Sequence, residues 1–327
     1  MSRLRFLDFH YLCGGNPVSF GNINSMPTIV LESCPVCGSH DIKKVFDAVD
    51  HFSSGETFPL FDCRGCGFHF TNSFPSRDTI GRYYDSPGYI SHSNTREGIV
   101  NKLYHFARRI MLKRKVRLVS RYTRTKPARL LDMGCGTGHF LHEAKEEGFI
   151  VTGIEKDEKA REYAHAGFGL EVKDEESFWN LESKSFDAIT LWHVLEHLEE
   201  LNESIEKIKS ILAPGGTVMI ALPNHRSYDA KHYKTFWAAY DVPRHLWHFS
   251  PHTVEKLLAK HGLVIAEQKR MPLDAFYISL LSEKYKGTPA LPGFVKACWI
   301  GTAGLIGSLF STRQSSSLLY IAKKKAD

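Results

Sequence analysis

The chain has 327 residues, of which 43% are hydrophobic and 24% charged, and a formal net charge of +6. That is the composition of an ordinary soluble globular protein and sets aside a fibrous or disordered chain. The length suits one large domain with an accessory module, or two domains.

Residues 1–30 read as a disordered tail. The stretch "CGGNPVSFGNINS" is loop-like, and Asp8 and His10 interrupt the one apolar candidate for a secretory signal. Met26 is an alternative start of the functional chain, and the expected location is the cytoplasm. Residues 31–75 carry two identical knuckles, "CPVCG" (Cys34, Cys37) and "CRGCG" (Cys63, Cys66). Each C-x-x-C turn, followed by Gly, points two thiolates at one ion, and two such turns complete a tetrahedral site. In a cytosolic chain this spacing predicts structural zinc rather than disulfides. The alternation in "KKVFDAV" and "TFPLFDC" adds short strands, so a small zinc ribbon is expected. A closed four-cysteine site stabilises or docks a substrate or partner protein, and composition identifies neither. Cys13, Cys135 and Cys298 have no such companions.

Residues 76–127 form a helical, basic connecting region. Ten Lys or Arg residues lie between Lys102 and Lys126, with no acid from Gly98 to Leu131. The spacing predicts a helix over 98–122, with Ile99, Leu103, Phe106, Ile110, Met111 and Val116 as its buried stripe. Its charges suit either a solvated face or a surface that meets phosphates of RNA, a nucleotide-linked substrate or anionic lipid. Pro127 then punctuates the chain.

The segment "ARLLDMGCGTGHFLHEAKEEGFIVTGIEKDEKA" reads as strand, glycine turn, helix and a second strand ending in an acid. Such a βαβ unit opens a nucleotide-sized crevice at its strand ends. A dinucleotide fingerprint fails, because His139 stands where its last glycine belongs. An acid beside the glycine turn disfavours a pyrophosphate and favours a cationic ligand.

"LLDMGCGTG" resembles motif I of class I S-adenosylmethionine-dependent methyltransferases. The resemblance extends in order through "EVKDEESF", "SFDAITLWHVLEHL" and "ILAPGGTVMIALPN", over residues 129–224. It implies a Rossmann-like seven-stranded α/β sheet with helices on both faces, occupying residues 128–327. It also implies that Asp132, Gly134, Gly136 and Gly138 cradle the cofactor, that Glu155 holds its ribose hydroxyls, and that Asp174 faces its adenine.

Within that domain, "HVLEH" read as a bare pattern is H-x-x-E-H, the zinc signature of inverted metalloproteases. On one helix His193, Glu196 and His197 would share a face. Their place directly after the fourth strand, at the ligand-binding edge of a doubly wound sheet, excludes the protease. The segment resembles the Glu-x-x-Glu-His of ubiquinone-pathway O-methyltransferases and small-RNA terminal 2′-O-methyltransferases, which bind a divalent ion there. His193 stands in place of the first acid; a His₂Glu set is still ligand-competent, so a second divalent ion is one expectation. The other, preferred, is metal-independent catalysis in which His193 and His245, with His248 behind them, act as base or orienting groups.

The loop "NHRSYDAKHYKTFWAAYDVPRHLWHFSPHTVEKLLAKHGL" resembles the substrate-covering loop of the ubiquinone-pathway group. Ser250-Pro251 opens a helix and Gly262 ends it. "LVIAEQKR" is the next strand, 272–314 an insertion, and "SSSLLYIAKKK" a last strand antiparallel between its neighbours. The uncharged run 297–312 is short for a bilayer span, so a buried or interfacial helix is expected. The expected activity is O-methylation of a small-molecule or glycan intermediate. An RNA-modifying methyltransferase using ribbon and basic helix is less favoured, because that helix lacks aromatic interleaving for base stacking. A non-catalytic cofactor-binding adaptor is the third class.

Overall fold

A computed structural model describes residues 28–84 and 99–325, with the helical backbone alone for 99–107. Nearly all of the expected tail, with Cys13, lies outside the described residues. The N-terminal module contains strands β1 (Thr28–Ile29), β2 (Ile42–Val49), β3 (Thr57–Cys63), β4 (His69–Thr71) and β5 (Phe74–Pro75). β1 closes on β5, and β2, β3 and β4 form an antiparallel meander. Both strands read from the sequence between the knuckles are therefore present. Gly38 and Gly67 follow the two knuckles at φ 76° and 71°, a backbone that a side chain would strain.

The larger sheet comprises β6 (Arg129–Met133), β7 (Ile150–Ile154), β8 (Val172–Lys173), β9 (Phe186–Trp192) and β10 (Leu212–Pro223), joined later by β12 (Leu263–Arg270) and β13 (Ser317–Lys324). Its order is β12-β13-β10-β9-β6-β7-β8. β13 runs antiparallel between β10 and β12, while β6 to β10 pair in parallel. This is the Rossmann-like methyltransferase fold that the glycine turn implied.

Alternate residues of these strands enter two separate cores, so both faces are covered. Leu131, Ile189, Val218 and Ile220 pack with Ile205, Ile208, Val254 and Leu257 of the helices Leu201–Ile211 and Pro251–Lys260. Leu130, Ala188, Met219 and Ala221 pack with Val116, Val119, Phe140 and Ala144 on the other face. The helix Pro251–Lys260 starts at the expected cap: Ser250 and Thr253 form a reciprocal capping box, a device worth about 1 kcal/mol.

The four-cysteine module does not pack by itself. A two-residue strand, β11 (Trp247–His248), pairs with β4 and extends the meander to four strands. Phe68, Phe70 and Phe74 share one continuous core with Trp247, Phe249 and the large sheet.

The basic helix spans Ile99–Tyr122. Its buried stripe differs from the one read in sequence. Val116 and Val119 are buried and Leu112 and Leu118 partly so, whereas Ile110 and Met111 lie exposed on the outer side. Ile99, Leu103 and Phe106 fall where side chains lie outside the described residues. The insertion holds two helices, Asp274–Tyr285 and Ala290–Phe310. The second is longer than the uncharged run suggested, because Lys296 interrupts that run without interrupting the helix. Among the described residues it alone is long and apolar enough to cross a membrane by length and composition.

Candidate active site

The glycine turn leaves β6 at the carboxyl edge of the sheet. Gly134, Gly136 and Gly138 all have positive φ, at 62°, 55° and 79°. Two of them are required by close packing: a Cβ at Gly134 would lie 2.5 Å from Val194, and one at Gly138 would lie 2.8 Å from Ala164 and Leu170. A Cβ at Gly136 would meet nothing within 4 Å. That open cradle, lined by backbone, is where a ligand can approach the chain. Glu155, just beyond the end of β7, faces it. One carboxylate oxygen accepts from Gly136 N at 2.7 Å and the other from Asp157 N at 2.9 Å. Burial raises its pKa, opposed by these two donors.

Asp132 is buried at the tip of β6. Burial lifts its pKa to about 7, against a 2.6 Å hydrogen bond donated by Thr190 Oγ1. Asp174 lies at the sheet edge instead, exposed. Its Oδ1 accepts from Ser177 N and Oγ as the N-cap of the helix Glu175–Trp179, so that oxygen is committed locally. Lys115, which the sequence placed only in a basic stripe, turns inward from its helix. Its ammonium sits 4.1 Å from the Trp192 ring centroid, and burial lowers its pKa against the charges of Asp132 and Asp274.

His193 follows β9 with φ 60°, a left-handed backbone uncommon for a residue other than glycine. Its Nε2 lies 3.2 Å from Asp274 Oδ2 and its Nδ1 3.3 Å from Glu196 Oε1. Burial would lower its pKa, but the two carboxylates outweigh burial and lift it to about 9. His193 is therefore an imidazolium at neutral pH. The left-handed turn also corrects the shared helix face expected for His193, Glu196 and His197. Only Leu195–His197 is helical, one tight 3₁₀ turn, and His193 stands outside it.

A different trio converges. Ligand atoms of Glu196, His197 and His245 all lie within 4.8 Å of one another. Glu196 is fully buried; its Oε1 faces His193 Nδ1, and among the described residues its Oε2 has no hydrogen-bond partner. Burial raises its pKa, but His193 outweighs burial and holds it low. His197 Nδ1 donates to Arg244 O at 3.0 Å and His245 Nδ1 to Ala239 O at 2.9 Å, since a carbonyl can only accept. In its neutral form each ring therefore has its lone pair on Nε2. Burial and the nearby His245 push His197 down to about 4, so it is neutral. A buried carboxylate beside two imidazoles is a donor set that fits a divalent ion.

His193, His245, Asp241, Arg244 and Asp274 line a cavity of about 340 Å³, together with apolar Phe52, Ala239, Ile278 and Leu281. His248 does not join it, correcting the expectation of a third histidine behind the pair. It sits in β11, its Nε2 3.0 Å from Thr71 Oγ1 and its ring edge-on to Tyr240, and burial holds it neutral. Arg244 braces the cavity wall: fully buried, it donates to Asp50 at 2.8 Å, to Asp241 at 2.7 Å and to Tyr83 O at 3.0 Å.

The cysteines converge as their spacing predicted. Cys34 Sγ is 3.6 Å from Cys66 Sγ and Cys37 Sγ 3.5 Å from Cys63 Sγ, and all four are free thiols. Sulfurs at about 2.3 Å around a tetrahedral zinc would be about 3.8 Å apart. The module is compatible with that ion.

Residues 103–268, which are 166 of the 327, match the family described as "Methyltransferase domain". Over 103 residues, 29% of this chain, it is 33% identical to the ubiquinone biosynthesis O-methyltransferase of Caulobacter sp. (strain K31). Over 133 residues, 38% of this chain, it is 26% identical to the enzyme of that name from Coxiella burnetii (strain RSA 493 / Nine Mile phase I). The chain spans about half the length of these curated relatives, 41% and 56%. Among solved structures, a SAM-dependent methyltransferase from Archaeoglobus fulgidus is 22% identical at a TM-score of 0.44, with 66% of this chain and 94% of that one covered. One from Mesorhizobium loti is 18% identical at 0.43, with 61% and 92% covered.

Proposed function

We propose that this chain, which belongs to the methyltransferase-domain family, is an S-adenosylmethionine-dependent methyltransferase that acts on a hydroxyl of a small-molecule or glycan intermediate held in the cavity beside His193. The observation that carries this reading is His245. It lines the cavity with its Nδ1–H fixed on Ala239 O, so that the neutral ring presents the Nε2 lone pair to an acceptor proton. The curated relatives, both named as O-methyltransferases, support an oxygen acceptor.

Asp132, Gly134, Gly136, Gly138 and Glu155 would hold the cofactor, because the open Gly136 cradle and the acids beside it, Asp132 buried and Glu155 part-buried, suit a cationic amino-acid sulfonium. When bound, S-adenosylmethionine supplies an electrophilic methyl group. The residues of this chain then have three tasks. Gly136 and Glu155 orient one partner. Asp274 and Glu196 hold His193 as a cation at the cavity rim, where it steadies an acceptor oxygen as negative charge develops. His245 Nε2 takes the hydroxyl proton, and Asp241 Oδ2, 3.9 Å away, favours the imidazolium that results. The mixed polar and apolar lining suits one small ring or sugar rather than a polymer backbone. The four cysteines would hold one structural zinc, apart from the chemistry.

The test is methyl-labelled cofactor incubated with extracts treated separately with nuclease, protease or glycosidase. Label that survives nuclease and protease supports the proposal. Label lost to nuclease would assign the enzyme to RNA instead.

A further inference from the structure

The inserted helix pair has the opposite polarity to a water-facing element. The helix Ala290–Phe310 turns mostly small residues inward: Gly293, Ala297, Gly301, Gly304 and Ser308 are buried, with Ile300 the one large residue among them. A Cβ on Gly301 would fall 2.6 Å from the Phe276 ring, so the two helices approach closely only through glycine. Its large residues face out. Phe294, Val295, Trp299, Ile306, Leu309 and Phe310 are exposed, Trp299 by 74% and Phe310 by 87%. Leu273 and Leu280 extend the same apolar surface at the first helix. A helix of a water-soluble protein shows the reverse pattern, and contiguous apolar surface of this kind marks a docking site.

Charge identifies the occupant. Lys284, Lys286, Lys296 and Arg313 are exposed around the apolar face. The two acids between residues 271 and 316 are withdrawn: Asp274 pairs with His193, and Glu283 is buried. The basic helix reaches the same part of the molecule: its Leu112 and Leu118 and, just before the insertion, Met271 pack against one core cluster, and its Lys115 feels the charge of Asp274. Apolar and aromatic residues ringed by cations alone complement a bilayer with anionic headgroups. At 21 residues the helix is about 32 Å long, enough to span hydrocarbon. Its inward face, however, is packed on the helix Asp274–Tyr285, and its chain returns to the central sheet at Ser317. It is therefore placed to lie along a bilayer, not to cross one.

We propose that the helix pair is a docking surface for an anionic membrane, with Trp299, Leu309 and Phe310 entering the acyl boundary and the lysines meeting headgroups. The proposal stands independently of the acceptor assignment. Its consequence for the site is positional: Tyr277 and Ile278 of the first helix line the acceptor cavity, so docking sets that cavity beside the headgroups.

Flotation of the full chain with vesicles tests it, using phosphatidylcholine alone or with about a third phosphatidylglycerol. The chain should float with the anionic vesicles and blue-shift its tryptophan emission. Trp299→Ser with Phe310→Ser should reduce partition roughly tenfold or more with circular dichroism and cofactor binding unchanged. Lys286→Glu with Lys296→Glu should remove the preference for anionic lipid. Wild type remaining with the buffer, equal flotation on both vesicles, or equal flotation of wild type and the serine variant would each overturn the proposal. A dimer that becomes monomeric in the serine variant, without vesicle binding in wild type, would assign the face to a second copy.

Discussion

Asp274→Asn isolates the charge that the insertion lends to the active site. His193 is held at about 9 by two carboxylates, Asp274 at 3.2 Å and Glu196 at 3.3 Å. An ordinary histidine titrates near 6.5. Asp274 is the stronger partner, and the two carboxylates must also offset burial, so its neutralisation should remove more than half of that difference and leave His193 at roughly 7.5 or lower. The sign follows from the raised value. The imidazolium persists below the folded pKa and is lost as pH rises through it, so the alkaline limb of kcat/KM should move from about 9 to roughly 7.5 or lower. At pH 8.5 the protonated fraction would fall from roughly three-quarters to about a tenth or less, a loss of roughly eightfold or more. The two enzymes would converge as pH falls below the variant's own limb, where both are protonated. Histidine resonances followed by NMR, beside the pH–rate profile, check both halves. An equal loss at every pH, or a limb that stays near 9, would show that His193 does not act through its charge.

Gly136→Arg should fill the open cradle, and Glu155→Ala should remove the acid that faces it. Calorimetry should find S-adenosylmethionine affinity reduced at least tenfold in each, and unchanged affinity in both would refute the cofactor assignment. Metal analysis should return about one zinc per chain, and Cys34→Ser should lose it together with thermal stability. Zinc retained after replacement of all four cysteines would place it elsewhere. His245→Ala should lower turnover by roughly 10²–10⁴-fold with cofactor affinity unchanged. Mild chelation, monitored by circular dichroism so that loss of the ribbon is recognised, should do little. Turnover abolished by chelation and restored by magnesium or manganese would instead put a divalent ion on Glu196, His197 and His245.

What was legible in the sequence depended on local chemistry. The glycine turn, the paired knuckles and the alternation of β2 and β3 each express one backbone requirement within a few residues, and each stands where it was expected. The final strand was legible through the family resemblance, which implies a last strand antiparallel between its neighbours, and β13 stands there. Asp274 was not legible as a site residue. It reaches His193 across 81 positions through an insertion whose folding back no periodicity announces. Lys115 was hidden in the opposite way, as one cation in a run of cations, with nothing to single out the one that turns inward. The histidines were visible as residues but not in their roles. Those are set by a left-handed turn at His193, by a carbonyl from Ala239, and by a two-residue strand around His248 too short to carry a period.

That short strand also explains why a closed cysteine module belongs to an enzyme of this fold. β11 seals the module's meander, and the residues immediately before it are the loop that carries Arg244 and His245. Thr71 Oγ1 of β4 donates to the backbone oxygen of His245 at 2.9 Å, and Asp50 at the end of β2 accepts from Arg244. Phe52, two residues on, stacks under the same guanidinium at 4.8 Å and lines the acceptor cavity. Arg244 is too buried to be left with Asp241 alone without cost, since an uncompensated interior charge is strongly destabilising. The N-terminal module therefore supplies half of the counter-charge that fixes the loop, and one wall of the pocket that the loop closes. A metal in the knuckles would stiffen β2 through β4, and with them the position of His245. Structural and catalytic parts of this chain are thus coupled through one buried ion triad, although their sequence signatures lie more than a hundred residues apart.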